Sequence, residues 1–121
     1  MFKLLLIAGA GGFIGTCLRY LTGKLLPASS PFPWSTFAVN AAGCLLIGIF
    51  YGLAERHHPI SPALNVFLIT GLCGGLTTFS SFADDLWLQL DGRRFLLFAL
   101  YLLSSIALGL LMVWLGRCSV R

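Results

Sequence analysis

Charge is what this chain has least of. Its only acidic side chains are Glu55, Asp84, Asp85 and Asp91, and charged residues make up 10% of 121 positions. Soluble domains are about 25% charged and about 45–50% apolar. Here the apolar share is 58% and mean hydropathy is +0.92. A soluble core of this size has no room for so much apolar surface. The composition therefore specifies a polytopic membrane protein, with one domain over residues 1–121, too short for two.

Other absences narrow the function. Cys17, Cys44, Cys73 and Cys118 form no CxxC pair, and three of them lie in apolar segments. Free cysteine there acts as a small hydrophobe, so disulfide and metal roles are not expected. The net charge of +4 comes from scattered Lys and Arg, with no cluster beyond Arg93-Arg94. Single cations at segment ends suit lipid headgroups, so nucleic acid is not an expected partner. No nucleophile–base pair or metal set stands out, so the chain does not read as an enzyme. His57 and His58 are adjacent, point different ways on a helix and lack further ligands.

What remains is four apolar segments, at about Leu4–Leu21, Ser35–Leu53, Ala63–Leu90 and Phe95–Leu115. The first is near the length that crosses a bilayer core of about 30 Å, and the third is longer than one crossing needs, which suits a helix–break–helix. The first begins like a signal peptide, but its apolar run continues past Ala8-Gly9-Ala10, so it reads as a retained span. Ala8, Gly11, Gly12 and Gly15 give it small-xxx-small spacing, which lets helix backbones approach closely. Arg19 and Tyr20 near its end read two ways: an interfacial anchor pair, or a positive charge at a pore mouth. Pro27, Pro31 and Pro33 mark the following loop, and Trp34 anchors the second span.

In the second span, Asn40, Gly43, Cys44, Gly48 and Gly52 fall on one helical face. An asparagine at that depth is costly unless paired or wet. It serves either as interhelical glue or as an amide lining a polar route. In the fourth span, Tyr101, Ser104 and Ser105 share a face that either meets a polar neighbour or packs through small residues such as Ser105 and Gly109.

The third span holds the unusual stretch, Gly71-Leu-Cys-Gly-Gly-Leu-Thr-Thr-Phe-Ser-Ser-Phe82. Gly74 and Gly75 each cost about 1 kcal/mol of helix propensity. The hydroxyls of Thr77, Thr78, Ser80 and Ser81 compete for backbone partners. Together they predict a helix broken mid-span, and broken backbone at membrane depth lines a cavity or is buried in protein. Phe79 and Phe82 share one face at i, i+3. Thr77, Ser81 and Asp85 share another at i+4 steps.

Four spans put Lys3, Arg56, Arg117 and Arg121 on one side. Lys24, Arg93 and Arg94 lie on the other, joined by Arg19 if it snorkels outward. Orientation follows an excess of Lys and Arg, and here almost none exists. The balance predicts insertion both ways and an antiparallel, dual-topology homodimer.

Gly11-Gly-Phe-Ile-Gly-Thr-Cys-Leu-Arg-Tyr20, Asn40-Ala-Ala-Gly43 and Gly71 to Ser80 with Phe82 together resemble the Fluc/CrcB fluoride channels. The resemblance implies passive fluoride export through the bacterial plasma membrane, relieving fluoride toxicity. It implies two pores in a dual-topology homodimer around a structural sodium ion. By position, Asn40 would be the pore asparagine, and Phe79 and Phe82 the phenylalanine box. Gly74 and Thr77 would give backbone carbonyls to sodium, and Arg19 would stand at the vestibule. Thr78, Ser81, Tyr101, Ser104 and Ser105 would form a polar track. Whether Asp84 or Asp85 fills the family's acidic position is open. Two rivals are a small four-helix multidrug exporter, which needs an embedded carboxylate that three of the spans lack, and a non-conducting assembly subunit.

Overall fold

The computed structural model describes residues 1–56 and 60–121, so His57 and His58 lie outside the described residues. Among the described residues, four helices are long and apolar enough to cross a membrane: Phe2–Leu25, Trp34–Arg56, Pro62–Asp91 and Phe95–Ser119. The first two are single helices, α1 (Phe2–Leu25) and α2 (Trp34–Arg56). The third span is composite: α3 (Pro62–Asn65), a π-helical stretch (Val66–Cys73), α4 (Gly74–Leu76) and α5 (Phe79–Asp91). The last is α6 (Phe95–Ser119). Among the described residues there is no strand.

Local chemistry sets the ends of these elements. Ser61 caps α3, its hydroxyl accepting the Leu64 N–H at 3.2 Å, and Pro62 takes the first turn, where its missing N–H costs nothing. Between α5 and α6 the chain turns within Gly92–Arg94. The Arg94 N–H reaches back to the Gln89 carbonyl at 2.8 Å, and the left-handed residue is Arg93 at φ 55°, not Gly92.

Two glycine seams hold the spans together. In the first, α1 lies against the π-helical stretch and α4. A methyl group on Gly75 would stand 2.5 Å from the Gly12 carbonyl oxygen, and one on Gly71 2.7 Å from that of Ala8. Gly11 and Gly15 are equally crowded by backbone. In the second seam, α2 meets α6 where Gly48 faces Val113 and Gly116 faces Leu45 and Ile49. Lipid is as apolar as leucine, so helices in a bilayer gain little by burying apolar side chains, and close backbone packing takes over. The buried apolar side chains are accordingly few: Val39, Ile69, Cys73, Leu76 and Tyr101. Large ones such as Phe13, Leu96 and Leu110 face outward.

The expected break is present, but its cause differs from the expectation. Gly74 keeps helical angles (φ −63°, ψ −35°), and the backbone leaves the helix only at Thr77 and Thr78. Gly75 is a packing residue of the first seam. The π-helical stretch was not expected, and no residue pattern in Val66–Cys73 announces it.

Gly75→Ala should therefore destabilise the fold by about 1–3 kcal/mol, the usual scale of overpacking. Gly9→Ala, with nothing within 4 Å of the added carbon, should not. Thermal unfolding in detergent, followed by circular dichroism, checks this. Equal melting temperatures for the two variants would remove the seam as a source of stability.

Candidate functional site

The site begins with one residue. At Thr78 the backbone is extended (φ −149°, ψ 123°), and such a segment within a span leaves peptide groups unpaired. Asn40, about two turns into α2, supplies both partners. Its Oδ1 accepts the Thr78 N–H at 2.8 Å, and its Nδ2 donates to the Thr78 carbonyl at 3.1 Å. The Thr78 hydroxyl then starts α5 as its N-cap, accepting the Ser81 N–H at 3.1 Å. Thr77 bonds backwards, its hydroxyl donating to the Cys73 carbonyl at 2.8 Å. Arg19 crosses from α1, and its Nε–H donates to the Gly75 carbonyl at 2.9 Å.

The break has a consequence for two carbonyls. In a continuous helix the Gly74 carbonyl would receive the Thr78 N–H, and the Thr77 carbonyl the Ser81 N–H. Both donors are diverted, one to Asn40 and one to the Thr78 hydroxyl. Gly74 and Thr77 thus carry carbonyl oxygens without their regular helical partners.

Beside the break lies a cavity of about 330 Å³ lined by Asn40, Thr77, Thr78, Phe79, Phe82 and Ser105, with Gly43, Cys44, Ile47 and Ile106 as its apolar wall. Two phenylalanine rings sit 6.2 Å apart and tilted by 55°. Tyr101, wholly buried on α6, meets Phe82 edge-on at 5.0 Å. The Ser105 hydroxyl oxygen is buried without a hydrogen-bond partner. A buried hydroxyl without a partner costs stability, and wherever one persists a ligand or function is a natural explanation.

A second cavity, of about 360 Å³, opens on the other side of Thr78 and is lined in part by Arg19, Lys24, Thr36 and Ser81. Lys24 lies 5.3 Å from the centre of the Tyr20 ring. Thr78 lines both cavities, so the break stands between them.

The sequence-predicted residues are distributed as follows. Asn40, Thr78, Phe79, Phe82 and Ser105 meet in the first cavity, while Arg19 and Ser81 line the second. Tyr101 stands behind Phe82 rather than in a cavity wall. Ser104 lies apart, its hydroxyl donating at 3.4 Å to the Tyr101 carbonyl one turn back. Arg19 turns inward to Gly75 instead of snorkelling outward, which leaves the Lys and Arg balance at four against three. Thr77 drops out of the expected Thr77–Ser81–Asp85 row because it precedes α5. Of the two aspartates, Asp85 faces inward and accepts the Tyr101 O–H at 2.9 Å, whereas Asp84 is exposed. The i+4 step from Ser81 to Asp85 was a usable signal, but the tyrosine partner was not legible. Among the described residues no cluster of His, Cys, Asp or Glu could hold a metal ion.

Tyr101→Phe deletes only the hydroxyl and leaves the half-buried Asp85 carboxylate short of a donor. A hydrogen bond to a charged group is worth about 1.5–3 kcal/mol, so the melting temperature in detergent should fall accordingly. Tyr101→Phe combined with Asp85→Leu should recover part of the loss, since removing both partners is nearly neutral. A double variant less stable than the additive sum of the singles would show that the pair is not coupled in this way.

Residues 6–117 match the family described as CrcB-like protein, Camphor Resistance (CrcB). The chain is 44% identical over 116 residues to the fluoride-specific ion channel FluC of Flavobacterium psychrophilum, covering 94% of each chain. It is 49% identical over 111 residues to that of Bacteroides fragilis, covering 88% of this chain and 87% of the relative. With that of Chlorobium luteolum it shares 46% identity over 118 residues, covering 96% and 91%. Family match and relatives both span nearly the whole chain, so the protein belongs to the CrcB family.

Proposed function

We propose that this protein is a fluoride-selective channel of a bacterial membrane, conducting fluoride passively out of the cell. The observation that carries the reading is the cavity beside the helix break, where Asn40, Phe79, Phe82 and the unpartnered Ser105 hydroxyl converge. Relatives at 44–49% identity that are named fluoride-specific ion channels support it.

The chemistry fits a small anion. Moving a bare ion from water to a low-dielectric interior costs several kcal/mol or more even after relaxation, so donors must replace its water. Asn40 uses one Nδ2 hydrogen on the Thr78 carbonyl and keeps the second for a ligand. Ser105 offers a free hydroxyl. Aromatic rings are positive at their edges, so Phe79 and Phe82 can meet fluoride edge-on while excluding water. Arg19 and Lys24, at the second cavity, would raise the local anion concentration.

The complete channel in this proposal is an antiparallel homodimer with two pores. Phe79 is 78% exposed in the single chain, and its ring completes a pore only when a second copy covers it. The nearly even Lys and Arg balance supports insertion in both orientations. Gly74 and Thr77 fit a sodium site on the two-fold axis. Their carbonyls are hard oxygen ligands released from the helix, two from each copy. Sodium bound there would supply fixed positive charge that offsets the cost of an anion at mid-membrane. Asn40, by diverting the Thr78 N–H, is what releases the Gly74 carbonyl for that role.

A fluoride-electrode efflux assay on proteoliposomes, with chloride as control, tests the function. Wild-type protein should empty the vesicles of fluoride and leave chloride inside. Asn40→Asp should reduce fluoride efflux to background by placing a like charge on the route. Phe82→Ile should slow efflux several-fold with the fold intact, because the ring edge is lost. Wild-type rates in both variants would place the pathway elsewhere.

Orientation is checked separately. Tags at the two ends of many single molecules should report both sides of the membrane in about equal numbers. A single uniform orientation would rule out the antiparallel pair.

A further inference from the structure

At the opposite end of the molecule from Thr36 and Arg94, the last turns of α2 and α6 form a small basic cavity. Its volume is about 90 Å³, and its lining is Gly52, Glu55, Arg56, Arg117 and Arg121. Three arginines and one glutamate thus border it. Arg117 is fixed in place: its Nη1 lies 2.7 Å from both Glu55 carboxylate oxygens, and its guanidinium carbon 5.6 Å from the centre of the Tyr51 ring. Glu55 therefore neutralises Arg117 and orients it. Among the described residues, Arg56 and Arg121 have no ion-pair partner.

We propose that this cavity binds a phosphate group. Its volume is enough to admit a phosphate. Arginine presents a planar fork that matches phosphate oxygens two at a time. The cavity lies where two membrane-spanning helices end, at the depth of lipid headgroups, and basic pockets between such helices hold anionic lipid heads. The close contact at Gly52, whose added methyl would lie 3.2 Å from the Arg117 Cα, brings the two helix ends together and so makes the pocket. The fluoride site contains none of these residues, so the phosphate site stands or falls apart from it.

Native mass spectrometry of the full-length protein in detergent tests the proposal, with phosphatidylglycerol as the probe. The wild type should retain the lipid, and the double variant Arg56→Gln/Arg121→Gln should bind it about tenfold more weakly, the scale of one charge-assisted hydrogen bond. Lys3→Gln, an exposed cation outside every cavity described, should bind as the wild type does. Unchanged circular dichroism and elution volume show that the variants are folded. Millimolar inorganic phosphate is then added to the lipid-bound wild type. Displacement means that the site takes free phosphate as well as a lipid head, and no displacement confines it to the lipid; either supports a phosphate site. Equal retention by wild type and double variant overturns it, as does a loss of the same size in Lys3→Gln.

Discussion

The side-chain amide of Asn40 takes the place of a strand for a single residue, Thr78. Two hydrogen bonds, to the N–H and the carbonyl of one extended peptide unit, let the third span stop being a helix within the bilayer. Water is absent there, and every peptide group must find a partner inside the protein. Without that amide, the extended conformation at Thr78 would leave two backbone groups bare, and a continuous helix would be the cheaper state. Several other features follow from this bond. The Thr78 hydroxyl is free to cap α5, the Gly74 carbonyl loses its donor, and Phe79 and Phe82 begin a new helical register beside a cavity.

The glycine seams make this pairing geometrically possible. Asn40 lies on α2, which is zipped to α6, whereas Thr78 lies on the span zipped to α1. The two helix pairs meet at the break, where Gly43 makes room for the Thr77 methyl and Asn40 bridges to Thr78. Each seam depends on backbone approaching backbone. Small shifts in either would therefore be felt at the amide, since close-packed interiors transmit strain.

Polar groups in the interior are divided between structural and unsatisfied ones. Thr77 and Ser104 spend their hydroxyls on carbonyls one turn back, Arg19 its Nε–H on the Gly75 carbonyl of the neighbouring span, and Tyr101 its hydroxyl on Asp85. Asn65 Oδ1, Gln89 Oε1, the Ser105 hydroxyl and the second Asn40 hydrogen remain, and the last two border the first cavity. The proposed pore thus rests on few donors and on ring edges. This suits passage, because an anion bound by many strong donors would not leave.

The membrane setting, the four spans and the presence of a break are legible in the order of residues alone, because these follow from composition and from local propensity. Scarce charge cannot serve a soluble surface, and a run of hydroxyls after two glycines cannot stay quietly helical. Tertiary structure decided where the break falls and what holds it. Gly74 and Gly75 remain helical because α1 packs against that segment, and the chain opens at Thr77–Thr78 because only there does a distant asparagine reach it. The choice of Asp85 over Asp84 was likewise set by a tyrosine sixteen residues away. Helical spacing places a residue on a face, but which neighbour meets that face is settled only when the helices pack.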